Sequence, residues 1–183
     1  MQISTFEILV QPIAPKPFNS AVSRRVIQAY FLTIANVDAP GSDDVVLSLQ
    51  FTATPGLNND EIFTIVDTGL GNVFGDLSID DNTGKPSQQL TLPAGKSALF
   101  VLQPDISKSA PNPASLDVAK LEVRGYVDLL LSPLSPNPAA KLLVSPQIRG
   151  TFVPNDLSAP NPDFDQQAYS LPTPSGGSLI TLP

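Results

Sequence analysis

The sequence predicts an all-β protein: an antiparallel two-sheet β-sandwich of immunoglobulin-like architecture, with about eight to ten strands and almost no helix. Three observations carry that expectation. Apolar and polar residues alternate in run after run, the period of a strand with one buried and one wet face. Twenty prolines and eleven glycines punctuate those runs, as many short strands joined by turns require. Nowhere do apolar residues recur at helical spacing for more than a turn. The Cys…Trp…Cys pattern of true immunoglobulin domains is absent, so the analogy is architectural and brings no function with it.

Taken in order, Phe6, Ile8 and Val10 alternate with polar neighbours and stop at Pro12. Val26 to Val37 is apolar on both faces, the pattern of a central strand. After the turn cluster 38–44, Val45, Leu47, Leu49, Phe51 and Ala53 give a clean alternation. Glu61–Asp67 and Asn72–Asp80 read as two strands, with Gly75 in an inward slot that suggests a bulge or a close backbone approach. Leu90–Leu92 and Ser97–Gln103 flank a turn at Pro93-Ala-Gly95.

The longest alternating runs are Leu121–Leu131 and Leu142–Val153. Folded about Asn137-Pro138 they form a hairpin in which Gly125 lies opposite Gly150 and Tyr126 opposite Arg149. The paired glycines would make room for a bulky side chain from the facing sheet, Phe31 or Phe51. Pro-Asn-Pro recurs at 111–113, 136–138 and 160–162, and Arg-Gly at 124–125 and 149–150. These are repeated turn and kink solutions in a meander. The domain division is a β-sandwich over 1–168 and a Pro/Gly/Ser-rich tail over 169–183. Its strand-like end, Leu179–Pro183, either frays or adds to a sheet edge, in its own chain or a neighbour's.

Composition removes several function classes. The chain of 183 residues has a net charge of −7, and no basic stripe is interleaved with aromatics. This argues against nucleic acid and against an anionic membrane surface. With no Cys and no His, disulfides, thiolate or imidazole metal sites and His- or Cys-based catalysis are out of reach. No secretory leader and no membrane-span-length apolar run is visible, so a soluble, cytoplasmic protein is the default expectation.

The candidate chemistry is thin. Phe63-Thr-Ile-Val-Asp67-Thr68-Gly69 resembles the active-site motif of aspartic proteases, in which two carboxylates share a proton across paired turns. With a single Asp-Thr-Gly, the resemblance implies a dimeric enzyme with Asp67 as its catalytic residue. The supporting apolar-apolar-Gly segment is matched only by Val123-Arg124-Gly125, with a charge where an apolar residue belongs. The plainer reading is a strand ending at a turn. Gly69-Leu-Gly71-Asn-Val-Phe-Gly75 is not a dinucleotide loop, because its third glycine comes late and a strand follows it. Asp80 and Asn82 are weak metal candidates in a turn that alternates oxygen ligands like a calcium loop but lacks the closing bidentate Glu.

A binding face is expected on the outside of the long hairpin, from Glu122, Arg124, Tyr126, Asp128 and Arg149, where Tyr and Arg are residue types of binding hot spots. The expected function is a non-catalytic structural or protein-interaction module with no cofactor. It would have a protein partner or self-associate, and the C-terminal tail could make a homo-oligomer. A calcium- or carbohydrate-binding sandwich is the second class, with the absence of Trp counting against sugar.

Overall fold

The computed structural model describes residues 1–13, 24–106, 120–154, 160–161 and 164–183. Among them are twelve strands and no helix: β1 Gln2–Pro12, β2 Arg25–Asn36, β3 Val45–Thr54, β4 Ile62–Asp67, β5 Asn72–Gly75, β6 Ser78–Ile79, β7 Pro86–Leu92, β8 Ser97–Pro104, β9 Leu121–Leu131, β10 Ala140–Val153, β11 Asp165–Ser170 and β12 Leu179–Leu182. All pairings are antiparallel, and they join the strands into one hydrogen-bonded sheet. The Pro-Asn-Pro triplet at 111–113 lies outside the described residues, as does Pro162 of the third triplet.

The sheet curls on itself because β2 changes partners along one side. Its first residues, Arg25–Gln28, pair with Leu9–Pro12 of β1, and Tyr30–Ala35 pair with β8. From that corner one limb runs β1-β9-β3-β7-β6 and the other runs β2-β8-β4-β5, with β10 along the opposite side of β2. The inward residues of both limbs share one core, which includes Phe6, Tyr30, Leu49, Phe100, Val127 and Ile148. An aromatic file crosses it. Phe6 packs on Tyr30 and Phe51, and Phe51 meets Phe100 of the other limb at 5.6 Å between ring centroids. The Tyr30 hydroxyl, fully buried, is satisfied by Ser4 Oγ at 2.9 Å, as a buried hydroxyl must be.

The expected hairpin of β9 with β10 does not form. β9 lies between β1 and β3, and β10 pairs with β2. Gly125 therefore faces Phe6 and Ala53, while Gly150 faces Gln28 and Gln167. Alternation had identified each inner face correctly; nothing in it identifies the neighbour. The occupant over Gly125 is the Phe6 ring rather than Phe31 or Phe51. Gly75 is no point of close approach either, for a Cβ there would meet only Thr64 Oγ1 at 3.7 Å. It ends β5, where the chain leaves one limb for the other.

The C-terminal segment adds to its own sheet. Leu179–Leu182 pairs with Ala140–Leu143 of β10, and Ile180 and Leu182 enter the core. β11, exposed throughout, covers the other half of the same edge.

Candidate functional site

The residues expected to form one binding face are divided between the two limbs. On β9, Arg124 reaches sideways to Glu7 of β1, Nε to Oε1 at 2.5 Å, and also pairs with Glu122. The second Glu7 oxygen accepts from Gln28 Nε2 at 2.9 Å, and Gln28 Oε1 accepts from the Tyr169 hydroxyl at 3.2 Å. This polar chain crosses the outer surface of the corner from β9 to β11. The flanking carboxylates hold the Arg124 pKa above its ordinary value, the Glu7 hydrogen bond first among the causes. Partial burial, helped by the Glu7 charge, raises that of Tyr169.

Further along β9, Lys85 from the 80–85 turn lies over the Tyr126 ring at 5.8 Å and pairs with Asp128 at 3.4 Å. Each of these β9 side chains is thus occupied by a neighbour. Arg149, on the other limb, cannot stack on Tyr126. Its guanidinium lies 4.2 Å over Phe31, and its Nε and Nη2 donate to Gln147 Oε1 at 3.2 and 3.1 Å.

The two turn motifs use their carboxylates locally. Asp67 closes β4, and its Oδ1 accepts from the Gly69 amide at 2.7 Å, with Gly69 at φ +90°. This is the Asx turn that Asp and Gly favour. Asp80 Oδ1 accepts from the Asn82 and Thr83 amides, at 3.0 and 2.9 Å, and from Thr83 Oγ1 at 3.0 Å. Those bonds, the Thr83 amide first, lower the Asp80 pKa and keep the carboxylate charged. Asn59, a further candidate oxygen ligand, is tied to the Leu77 backbone in both directions. Among the described residues, no group of three or more His, Cys, Asp or Glu could hold a metal ion.

Two features stand out that alternation did not single out. The first is the segment 70–79, which carries the chain from one open end of the sheet to the other. Among the described residues β5 pairs with β4 alone and β6 with β7 alone, and the limbs also touch where Thr64 Oγ1 meets Gln88 Oε1 at 3.3 Å. Along this crossing Leu70 is 96% exposed, Val73 68%, Phe74 65% and Ile79 62%. The second is a groove of about 460 Å³ on the outside of β3, between the 80–83 turn and the 130–134 segment. Ser48, Gln50 and Gln89 lie at its floor. The signal for the first was present in Leu70, Val73 and Phe74 beside three glycines, but exposure depends on which strands pair. The second joins residues far apart in the chain and left no sequence signal.

Among the described residues, no helix is long and apolar enough to cross a membrane. No family profile and no curated protein matches the chain in sequence. Among solved structures, a chain described as a pore forming protein aligns over 97% of this chain and 75% of its own length, at 7% identity and a TM-score of 0.26. A likeness of that degree carries no argument about what this chain does.

Proposed function

We propose that this protein is a non-catalytic interaction module that associates through the open edge of β5, with a second copy of the chain as the occupant. The observation that supports it is the coincidence of exposed backbone edge and exposed apolar side chains at Leu70, Val73 and Phe74. An uncovered edge strand offers a row of unpaired amides and carbonyls, and apolar side chains beside it favour a partner strand. Two copies of β5 running antiparallel about a two-fold axis set a residue against its own counterpart, Val73 against Val73 or Phe74 against Phe74, a self-complementary contact. The two limbs are then the leaves of a sandwich joined at the β1–β2 corner, a reading supported by the Phe51–Phe100 contact between them.

Sedimentation of the full chain over a range of concentrations tests this. The mass rises with concentration in the parent protein and stays that of a monomer when Val73→Lys and Phe74→Glu are combined. Both side chains are largely exposed, and the pair gives up the Phe63–Phe74 ring contact but nothing of the core. A parent protein that remains monomeric at every concentration ends the reading.

A further inference from the structure

The outer face of β2 is apolar, and beside it lies a cation with unspent donors. Tyr30, Leu32 and Ile34 enter the core, whereas Ile27, Ala29 and Phe31 alternate with them onto the opposite face and take no part in it. A strand apolar on both faces is expected to be covered on both. Ile27, Ala29 and Phe31 floor a cleft of about 250 Å³, with Gln103 of β8 on one side and Arg149 and Thr151 of β10 on the other. Ala29 is only 6% exposed although it lies outside the core, so the cleft already shields its floor from water.

Arg149 is held in this cleft by two contacts. Its guanidinium lies over the Phe31 ring, and its Nε–Nη2 edge donates to Gln147 Oε1 at 3.2 and 3.1 Å. The other edge of the fork, Nη1 with the second Nη2 hydrogen, donates to no protein group among the described residues. No carboxylate pairs with Arg149 among them either, whereas Arg24, Arg124 and Lys85 all bridge to acidic residues. Arg149 therefore keeps free the two parallel N–H groups that match a carboxylate.

We propose that this cleft binds a small monocarboxylate with an apolar body, the carboxylate on the free edge of Arg149 and the body over Ile27 and Ala29. The ring and Gln147 fix the fork beforehand, so binding costs little side-chain freedom. The floor supplies apolar surface that a hydrocarbon body covers at once. A volume of about 250 Å³ admits a short body and excludes a long lipid chain. The net charge of −7 opposes an anion at a distance. Physiological salt screens that repulsion beyond about 8 Å, so the contact at Arg149 decides. The cleft does not include β5, so its failure and that of edge association are read by different measurements.

The test is a chemical-shift titration of the full chain with sodium hexanoate at neutral pH and millimolar concentrations. The Arg149 Nε–H and the Phe31 ring protons report the cleft, and saturable shifts at both are expected. Hexan-1-ol keeps the body and loses the charge, whereas acetate keeps the charge and loses the body. Each should bind about fivefold more weakly than hexanoate. Arg149→Gln, at an exposed position, should lower hexanoate affinity about fivefold and leave hexan-1-ol unaffected. Arg149→Lys keeps the charge without the fork and should recover only part of that loss. Three results overturn the proposal: no saturable shift at the two reporters, equal binding of hexan-1-ol, or unchanged hexanoate affinity in Arg149→Gln. Full recovery in Arg149→Lys would overturn the paired N–H geometry. Tighter binding of N-acetyl-leucyl-leucine than of hexanoate would assign the cleft to a peptide C-terminus and overturn the small acid.

Discussion

Arg124-Gly125 and Arg149-Gly150 are the same dipeptide set in the middle of the same kind of strand, and the fold treats them in opposite ways. At Gly125 an added Cβ would stand 2.0 Å from the Thr52 carbonyl oxygen and 2.9 Å from both Ala53 Cα and a Phe6 ring carbon. Two of those three atoms are backbone, the nearest among them, so a shift of the Phe6 ring alone cannot relieve the clash. At Gly150 the nearest atom is Val26 Cγ2, at 3.6 Å. The arginines differ as well. Arg124 is held between two carboxylates of the outer surface, whereas Arg149 lies on an aromatic ring with Gln147 as its acceptor. A repeated motif is thus a requirement at one site and an accident at the other, and only the neighbouring strands decide which.

The largest test of that contrast is Gly125→Ala, which must push β3 away from β9 or displace Phe6. It should cost about 3 kcal/mol, the upper end for overpacking, read as a drop in the denaturant midpoint. If it matches the Gly150 variant, the strand register is wrong. The Phe6 ring that covers Gly125 also packs on Tyr30. Tyr30→Phe should cost about 1–2 kcal/mol, since Ser4 Oγ loses its buried partner.

The same tyrosine sets an alkaline limit. Burial raises its pKa far above the ordinary tyrosine value of 10.0, so its contribution is complete below pH 10 and is lost as the pH climbs toward the folded value. A stability–pH curve that falls above pH 10 in the parent and falls less in Tyr30→Phe bears this out.

Next in size is Arg149→Ala. It uncovers Phe31 and should cost about 0.5–1 kcal/mol with little dependence on salt. Arg124→Ala should have a smaller effect that shrinks further as ionic strength rises, because its pairs are on the surface. Reversed salt sensitivities would mean that the two arginines had been assigned the wrong roles. Smallest of all, Gly150→Ala should be neutral or stabilise by about 0.5 kcal/mol, because alanine has less backbone freedom to lose from the unfolded chain.

The division between what could and could not be read in advance follows the same line. Alternation is a local property, and it located β2, β3, β9 and β10 to within about two residues, together with their inner faces. Turn chemistry is local too, and Asp67 and Asp80 do close turns as Asp should. Pairing is not local. The eight-residue connection 132–139 invites a hairpin, since sequential strands are usually neighbours. Here it leads instead from one limb to the other. β11 escaped notice because Asp165–Ser170 is exposed throughout and has no apolar stripe to read. The candidate sites were divided or brought together for the same reason. The β9 face was legible as residues but not as a set already paired with Glu7 and Lys85, and the groove joins Ser48 to Asp80 and Leu134 only through tertiary structure.

The partner change within β2 also constrains how the chain can fold. β2 is apolar on both faces and becomes central only when β8 and β10 arrive, pairing Ile34 with Ala98 and Val144. Almost none of its ladder can form locally. A topology so dominated by distant pairings closes long loops before contacts repay them, and folds in milliseconds to seconds rather than microseconds. During synthesis the β2 segment emerges well before residues 140–153 exist to cover its edge. In that interval the β10 side of the central strand is an open, apolar edge, a site where a partly made chain is prone to aggregate.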